Sequence, residues 1–298
     1  MKILTVIGAR PQIIKSAAIS SKIAEDYSAQ IQEVVVHTGQ HYDAGMSDKF
    51  FAELSIPSPQ YNLEVGSGKH GKQTATMLEK LEEVLEKEEP DVVLIYGDTN
   101  STLAAAVAAS KMHIPVAHIE AGMRSFNKSM PEELNRVLSD HSSTFLFCPT
   151  DEAVKNLKNE GFNGADSRPS LDEPHVSNVG DIMYDNALRY GNANSTSKTI
   201  SGEKFEQGSF IISTVHRASN TENAEQVEKI LAAINKVGAE NNLKVILPIH
   251  PRTRAILGKR VNEPDWKSKY QAICFTEPLG YTDILWCLNF GKLAITDS

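Results

Sequence analysis

A chain of 298 residues, 41% hydrophobic and 23% charged, has the composition of a globular protein with room for two domains and two cores. Its formal net charge of -8 argues against a nucleic-acid partner, which would ask for a basic stripe. No signal-peptide pattern opens the chain and the longest small-apolar stretch, residues 103–109, is far too short for a bilayer, so the expectation is a cytoplasmic protein with no membrane partner.

Apolar, β-branched runs alternate with helix-period segments from the first residues onward. Strands are expected over 2–7, 33–36, 92–96, 116–119 and 144–148, with helices over 11–25, 73–88, 102–112, 132–141 and 151–160. That alternation predicts parallel strands joined by crossover helices. It pauses over 163–177, a run rich in Pro, Asp, Ser and Gly that reads as a surface loop. Asn178-Val179-Gly180-Asp181 then reads as a junction between a first domain, 1–178, and a second, 179–298, with Asp181 capping a helix over 182–190. Residues 191–208 are again polar. A second alternation follows, with strands at 210–214, 244–247, 271–275 and 293–296 and helices at 223–240 and 281–288. The reading is α/β: two Rossmann-like domains facing a central cleft. The second is thin and ends at Thr296-Asp297-Ser298, where a ligand loop and another helix are expected, so it reads as incomplete.

The chemistry-bearing residues gather where strands end, on the face where open α/β sheets bind ligands. Gly8-Ala9-Arg10-Pro11-Gln12 fills the first strand-to-helix turn. A dinucleotide fingerprint would place three glycines here; this turn has one, and adds Arg10, with Lys15 a turn later. A helix N-terminus with Arg and Lys suits a phosphate or diphosphate, and the plain alternative is a solvated Arg beside a Pro-initiated helix. After the second strand, His37 and His41 stand four apart, but Gly39 breaks the helix that would align them on a metal. Gln40 and His41 read instead as part of a polar loop lining the cleft, and no metal is expected. Cys148, Cys274 and Cys287 are scattered and lack metal or redox spacing, so they read as buried thiols.

Residues 97–136 hold the densest chemistry. Asp98 and Glu120 each follow an apolar strand, and Glu132 and Arg136 lie one helical turn apart beside them. Two carboxylates delivered to one crevice next to an Arg suggest acid–base work on a small anionic substrate. Asp98 has a structural alternative, as a cap for the helix after it. Glu132 has one as well: Ser129-x-x-Glu132 fits a capping box, and Glu132 with Arg136 fits an i,i+4 ion pair. Glu133 reads as solvated. In the second half, His216-Arg217 and His250-Pro251-Arg252 again follow strands, where basic loops could hold phosphate.

Taken in order, Gly8-Ala9-Arg10-Pro11-Gln12, Gly97-Asp98-Thr99, Glu120-Ala121-Gly122, Pro131-Glu132-Glu133-x-Asn135-Arg136, His216-Arg217 and the closing Thr296-Asp297-Ser298 resemble the non-hydrolysing UDP-N-acetylglucosamine 2-epimerases, relatives of the GT-B glycosyltransferases. The resemblance implies a GT-B fold and usually a homodimer. It also implies interconversion of UDP-GlcNAc and UDP-ManNAc with no metal or nicotinamide cofactor, by elimination of UDP to a 2-acetamidoglucal and re-addition. By resemblance, Asp98, Glu120 and Glu132 are the carboxylate candidates, assisted by Arg136 and His216. Arg10, Lys15, His216 and Ser298 match nucleotide-sugar contacts, Arg217 and His250 join them as basic strand-end residues, and Gln40 and His41 match a loop near a regulatory UDP-GlcNAc site. Several of the same motifs also resemble epimerases of UDP-2,3-diacetamido-2,3-dideoxyglucuronate. A GT-B glycosyltransferase, a hydrolysing epimerase and a truncated, non-catalytic UDP-sugar-binding relative remain as alternatives.

Overall fold

The computed structural model describes the chain apart from residues 41–49, 165–167, 192–194, 218–219, 222, 250, 259–262 and 298. His41, His250 and Ser298 therefore lie outside the described residues. The chain divides into two compact units, Met1–Arg189 and Tyr190–Ser298.

The first unit is a parallel sheet of seven strands in the order β3-β2-β1-β4-β5-β6-β7. In chain order these are β1 (Lys2–Ile7), β2 (Gln32–His37), β3 (Tyr61–Asn62), β4 (Val92–Tyr96), β5 (Val116–Ile119), β6 (Phe145–Cys148) and β7 (His175–Asn178). The crossover helices are α1 (Arg10–Lys22), α2 (His70–Glu88), α3 (Asn100–Lys111), α4 (Pro131–Asp140) and α5 (Asp151–Asn159). Strands buried on both faces need continuous apolar runs, and β1 and β4 supply them. Along α2, Met77, Leu81, Val84 and Leu85 recur at helical spacing and bury one stripe against the sheet. A fully buried Leu there contributes roughly 2–3 kcal/mol. Helix α3 is mostly alanine on its inner faces, with Ala104, Ala105, Ala106, Ala108 and Ala109 buried, so it can lie close to both the sheet and its neighbouring helices.

The second unit holds a four-stranded parallel sheet, order β12-β11-β10-β13, and a separate two-stranded hairpin, β8-β9. Its strands are β8 (Ser197–Ile200), β9 (Glu203–Glu206), β10 (Phe210–Thr214), β11 (Lys244–Pro248), β12 (Ile273–Thr276) and β13 (Leu293–Thr296). The four expected strands thus form one sheet. Phe210 stacks on Trp286 at 5.2 Å between ring centroids, joining the sheet to the helix Tyr281–Phe290.

Three differences from the sequence reading have physical causes. Strand β7 overlaps the end of the run expected to be loop and takes in the first residue of the expected junction; it is an edge strand, half exposed, and pairs with β6 without needing an apolar run. The polar run before β10 contains the hairpin β8-β9, turned at Ser201-Gly202 with φ of 50° and 85°. Only Ile200 and Phe205 of that hairpin are buried, too few to show as a pattern. The helix Ile182–Tyr190, expected with the second domain, belongs to the first unit for nearly all its length. Asp181 Oδ1 accepts from the Met183 amide at 2.8 Å, Ile182 is buried, and Arg189 pairs with Glu25.

Candidate active site

Strand order in the first sheet reverses between β1 and β4, so the loops leaving β1, β4 and β5 surround a switch-point crevice at their carboxyl ends. Those loops carry Arg10, Asp98 and Glu120.

The β1 turn is held by Gln12. Its Oε1 accepts from the Gly8 and Ala9 amides at 2.9 and 3.2 Å, and its Nε2 donates to the Tyr96 carbonyl and to Thr102 Oγ1, both at 3.0 Å. Gly8 is required for close approach: a Cβ there would stand 2.1 Å from Ser101 Oγ and 2.2 Å from Thr38 Oγ1. Arg10 stacks over the Phe50 ring at 4.4 Å, and partial burial lowers its pKa from the ordinary value, with Glu53 opposing the shift.

Lys15, on α1, pairs with Glu120, and Arg136, on α4, pairs with Asp98. Each carboxylate therefore has its own cation, and each pair is only partly buried. Glu120 sits at φ 71°, a left-handed conformation that costs a Glu of order 1–3 kcal/mol and clusters at functional sites. The Glu120 and Ala121 amides both donate to the Phe147 carbonyl at 3.1 Å, which holds the turn in place. Gly97 has φ 63°, and a Cβ on it would meet Lys15 Nζ at 3.1 Å and Glu120 Oε2 at 3.3 Å. That glycine thus lets the β4 turn lie against the Lys15–Glu120 pair.

The structural alternatives separate cleanly. Helix α3 is capped by Thr99, whose Oγ1 accepts from the Thr102 amide at 3.3 Å, so capping does not occupy Asp98. Asn135 Nδ2 donates to the Asp98 carbonyl at 3.0 Å and leaves the Asp98 carboxylate to Arg136. The capping box at Ser129 does not form: α4 has Met130 at its N-cap, and Ser129 Oγ donates to Asn127 Oδ1 at 2.7 Å. Nor does Arg136 reach Glu132. It bonds Glu133 Oε2 at 2.8 Å, and Glu132 stands exposed on the first turn with no partner among the described residues.

Glu133, expected to be solvated, is buried. Its carboxylate accepts from the Ser125 amide and hydroxyl at 2.8 and 2.9 Å, from the Phe126 amide at 3.0 Å and from Arg136. The one-residue difference is geometric, since position 133 and not 132 turns toward the 125–126 loop. Burial acts to raise its pKa, but these four hydrogen bonds outweigh it and hold the group below the ordinary carboxylate value. A depressed folded pKa contributes stability that is present above the unfolded value and lost as pH falls through the folded one. Glu133→Ala is accordingly expected to cost about 3 kcal/mol at neutral pH. The wild-type advantage should shrink in acid, as read from urea midpoints at several pH values.

Gln40 is buried and committed to the scaffold: its Oε1 accepts from the Ser101 amide and hydroxyl at 3.1 and 2.7 Å. Burial pushes His37 down to about 4, so the ring is neutral and its Nδ1 accepts from the Gly39 amide at 2.9 Å. Cys148, Cys274 and Cys287 are free and buried.

The second unit repeats the logic by itself. Strand order reverses between β10 and β13, and the loop after β10 bears the exposed His216 and Arg217. Asp297, just past β13, organises that loop. It accepts from the His216 and Arg217 amides at 3.0 and 2.9 Å and from Asn220 Nδ2 at 3.0 Å, and meets His216 Nδ1 at 3.0 Å. Burial opposes the shift, yet those donors hold the Asp297 pKa below its ordinary value. Asp297 and Glu133 were the organising acids that sequence reasoning missed. Their signal was weak because each acts on backbone amides brought close only by folding.

Fold and site together define a two-unit α/β protein of the GT-B class, with charged loops at both switch points. The UDP-N-acetylglucosamine 2-epimerase family matches residues 24–298. A UDP-2,3-diacetamido-2,3-dideoxy-D-glucuronate 2-epimerase from Pseudomonas aeruginosa is 46% identical over 298 residues, covering 100% of this chain and 78% of that protein. A UDP-N-acetylglucosamine 2-epimerase homolog from Methanococcus maripaludis is 47% identical over 302 residues, covering 100% and 79%. Among solved structures, the Methanocaldococcus jannaschii UDP-GlcNAc 2-epimerase in complex with UDP-GlcNAc and UDP superimposes with a TM-score of 0.74 at 38% identity, over 100% of this chain and 79% of that one. The chain belongs to the UDP-N-acetylglucosamine 2-epimerase family. Among the described residues no helix is long and apolar enough to cross a membrane.

Proposed function

We propose that this protein is a non-hydrolysing 2-epimerase that interconverts UDP-GlcNAc and UDP-ManNAc. The observation that carries the reading is the switch-point pairing of Asp98 with Arg136 and of Glu120 with Lys15, in a chain of this family. A carboxylate takes the proton from C2 of the sugar while the C2–H electrons form the C1=C2 bond and UDP departs from C1. UDP then adds back at C1 of the 2-acetamidoglucal, and a proton is delivered to the other face of C2. Asp98, Glu120 and Glu132 are the groups proposed to take and return that proton. Arg136 holds Asp98 in place, and Lys15 and Arg10 supply charge for the departing diphosphate. In the second unit, His216 and Arg217 are proposed to contact the nucleotide, on the loop that Asp297 fixes. His250 and Ser298 are proposed as further contacts. The reading uses no metal and no nicotinamide. It includes a cytoplasmic homodimer, and a product suited to the assembly of surface polysaccharide.

A second reading is favoured by the 46% identity with the Pseudomonas aeruginosa protein: that the substrate is UDP-2,3-diacetamido-2,3-dideoxyglucuronate. It has the same C1–C2 chemistry, with an added carboxylate and a second acetamido group. Initial rates with both sugars, read by proton NMR, decide between them. A kcat/KM at least about tenfold higher for the glucuronate would transfer the assignment to it. Free ManNAc as product would contradict both.

A further inference from the structure

Beneath the Asp98 and Glu120 turns lies a buried pair that the proposed chemistry does not use. His118, on β5, and Asp140, the last residue of α4, are each 0% exposed. His118 Nδ1 lies 2.7 Å from Asp140 Oδ1, and His118 Nε2 lies 2.7 Å from the carbonyl oxygen of Gly97. A carbonyl can only accept, so Nε2 carries a hydrogen and donates it. Asp140 Oδ2 accepts from the Gly122 amide at 3.1 Å and from Arg124 Nη1 at 2.7 Å. Arg124 in turn grips Glu160 through two bonds of 2.7 Å.

Both ends of this chain of bonds reach a proposed reacting residue through its neighbour. Gly97 immediately precedes Asp98, and Gly122 follows Glu120 by two residues. The space is tight as well: a Cβ on Gly122 would stand 2.4 Å from the Ala153 carbonyl oxygen. Asp140 also ends the helix that carries Arg136 and Asn135, the two residues that hold Asp98. One imidazole and one carboxylate thus tie together the end of β4, the end of β5 and helix α4.

We propose that His118 and Asp140 are positioning residues that set the separation of the Asp98 and Glu120 turns, an inference that rests on the epimerase reading for its kinetic consequence. They touch no substrate and act through the Gly97 carbonyl and the Gly122 amide. A misplacement of about 1 Å at a reacting group costs on the order of 100-fold in rate, so a small shift in these turns should register in kcat before it registers in binding.

The test combines ring NMR on the wild-type chain with kinetics of His118→Asn, Asp140→Ala and Asp140→Asn. The wild-type His118 ring should show a hydrogen on Nε2; a bare Nε2 would overturn the proposal whatever the variants do. His118→Asn can still donate to Asp140 but abandons the Gly97 carbonyl. It and Asp140→Ala are expected to lower kcat by roughly 10- to 100-fold with KM within about threefold. Asp140→Asn should recover most of that loss, because its oxygen can accept from Gly122 and Arg124 while its amide donates to Nδ1. Unchanged kcat in folded His118→Asn and Asp140→Ala, or equal losses in Asp140→Asn and Asp140→Ala, would refute positioning. If the wild type turns over neither UDP-sugar, the epimerase reading has failed. The backbone amide shifts of Gly97, Asp98, Glu120 and Gly122 in Asp140→Ala against Asp140→Asn then decide: movement confined to the alanine variant supports the pair, and no movement overturns it.

Discussion

Asp98→Asn is expected to lower epimerisation by about 100- to 10,000-fold, the range for a lost general acid or base, with little change in melting temperature. The structure explains why stability should survive. Helix α3 is capped by Thr99, and the contact that fixes the Asp98 backbone comes from Asn135 to its carbonyl, which the amide variant keeps. The side chain is partly exposed, with 30% of its surface open, so losing the Arg136 pair costs only a solvent-screened interaction. Substrate KM should move little, because Arg136 remains and still bonds Glu133. Steady-state kinetics beside a thermal melt check this. Wild-type turnover in the variant would remove Asp98 from the site.

Glu120→Gln is expected to produce a loss of similar size by a different route. Here the carboxylate is the partner of Lys15, and it stands on a strained, left-handed backbone that the fold maintains through the Phe147 carbonyl. Glutamine keeps the shape and loses both the proton acceptor and the negative charge. Lys15 is then left without its anion, so UDP should bind as tightly as before or more tightly while kcat falls. Opposite movement of kcat and UDP affinity separates a chemical role from a structural one, since a damaged fold would weaken both. UDP titration and turnover on the same preparation provide the comparison.

Most of the framework was legible because strands buried on both faces write themselves as apolar runs. The bounds expected for β1, β4, β5 and β10 match those observed, and so do those of β13, a largely exposed edge strand that its apolar run Leu293-Ala294-Ile295 still marks. What escaped was written in few residues: the half-exposed edge strand β7 and a hairpin whose inward face is Ile200 and Phe205 alone. Candidate site residues of the first unit were visible as polar groups at strand ends, and the fold brings Lys15 to Glu120 and Arg136 to Asp98. Pairing itself was not visible, because it joins residues over a hundred positions apart in one case and 38 in the other. Glu132 and Glu133 show the limit most sharply. They are adjacent acids at a helix start with no difference in sequence chemistry, yet one is exposed and the other is enclosed by four donors. Only the direction of the 125–126 loop distinguishes them.

The central claim is that a carboxylate at this switch point removes and returns the proton at C2. Proton NMR of the protein with UDP-GlcNAc in heavy water, without added metal or nicotinamide, tests it most directly. The account predicts deuterium at C2 together with new UDP-ManNAc signals, both lost in Asp98→Asn and Glu120→Gln. Epimerised product that keeps its original C2 hydrogen would contradict it.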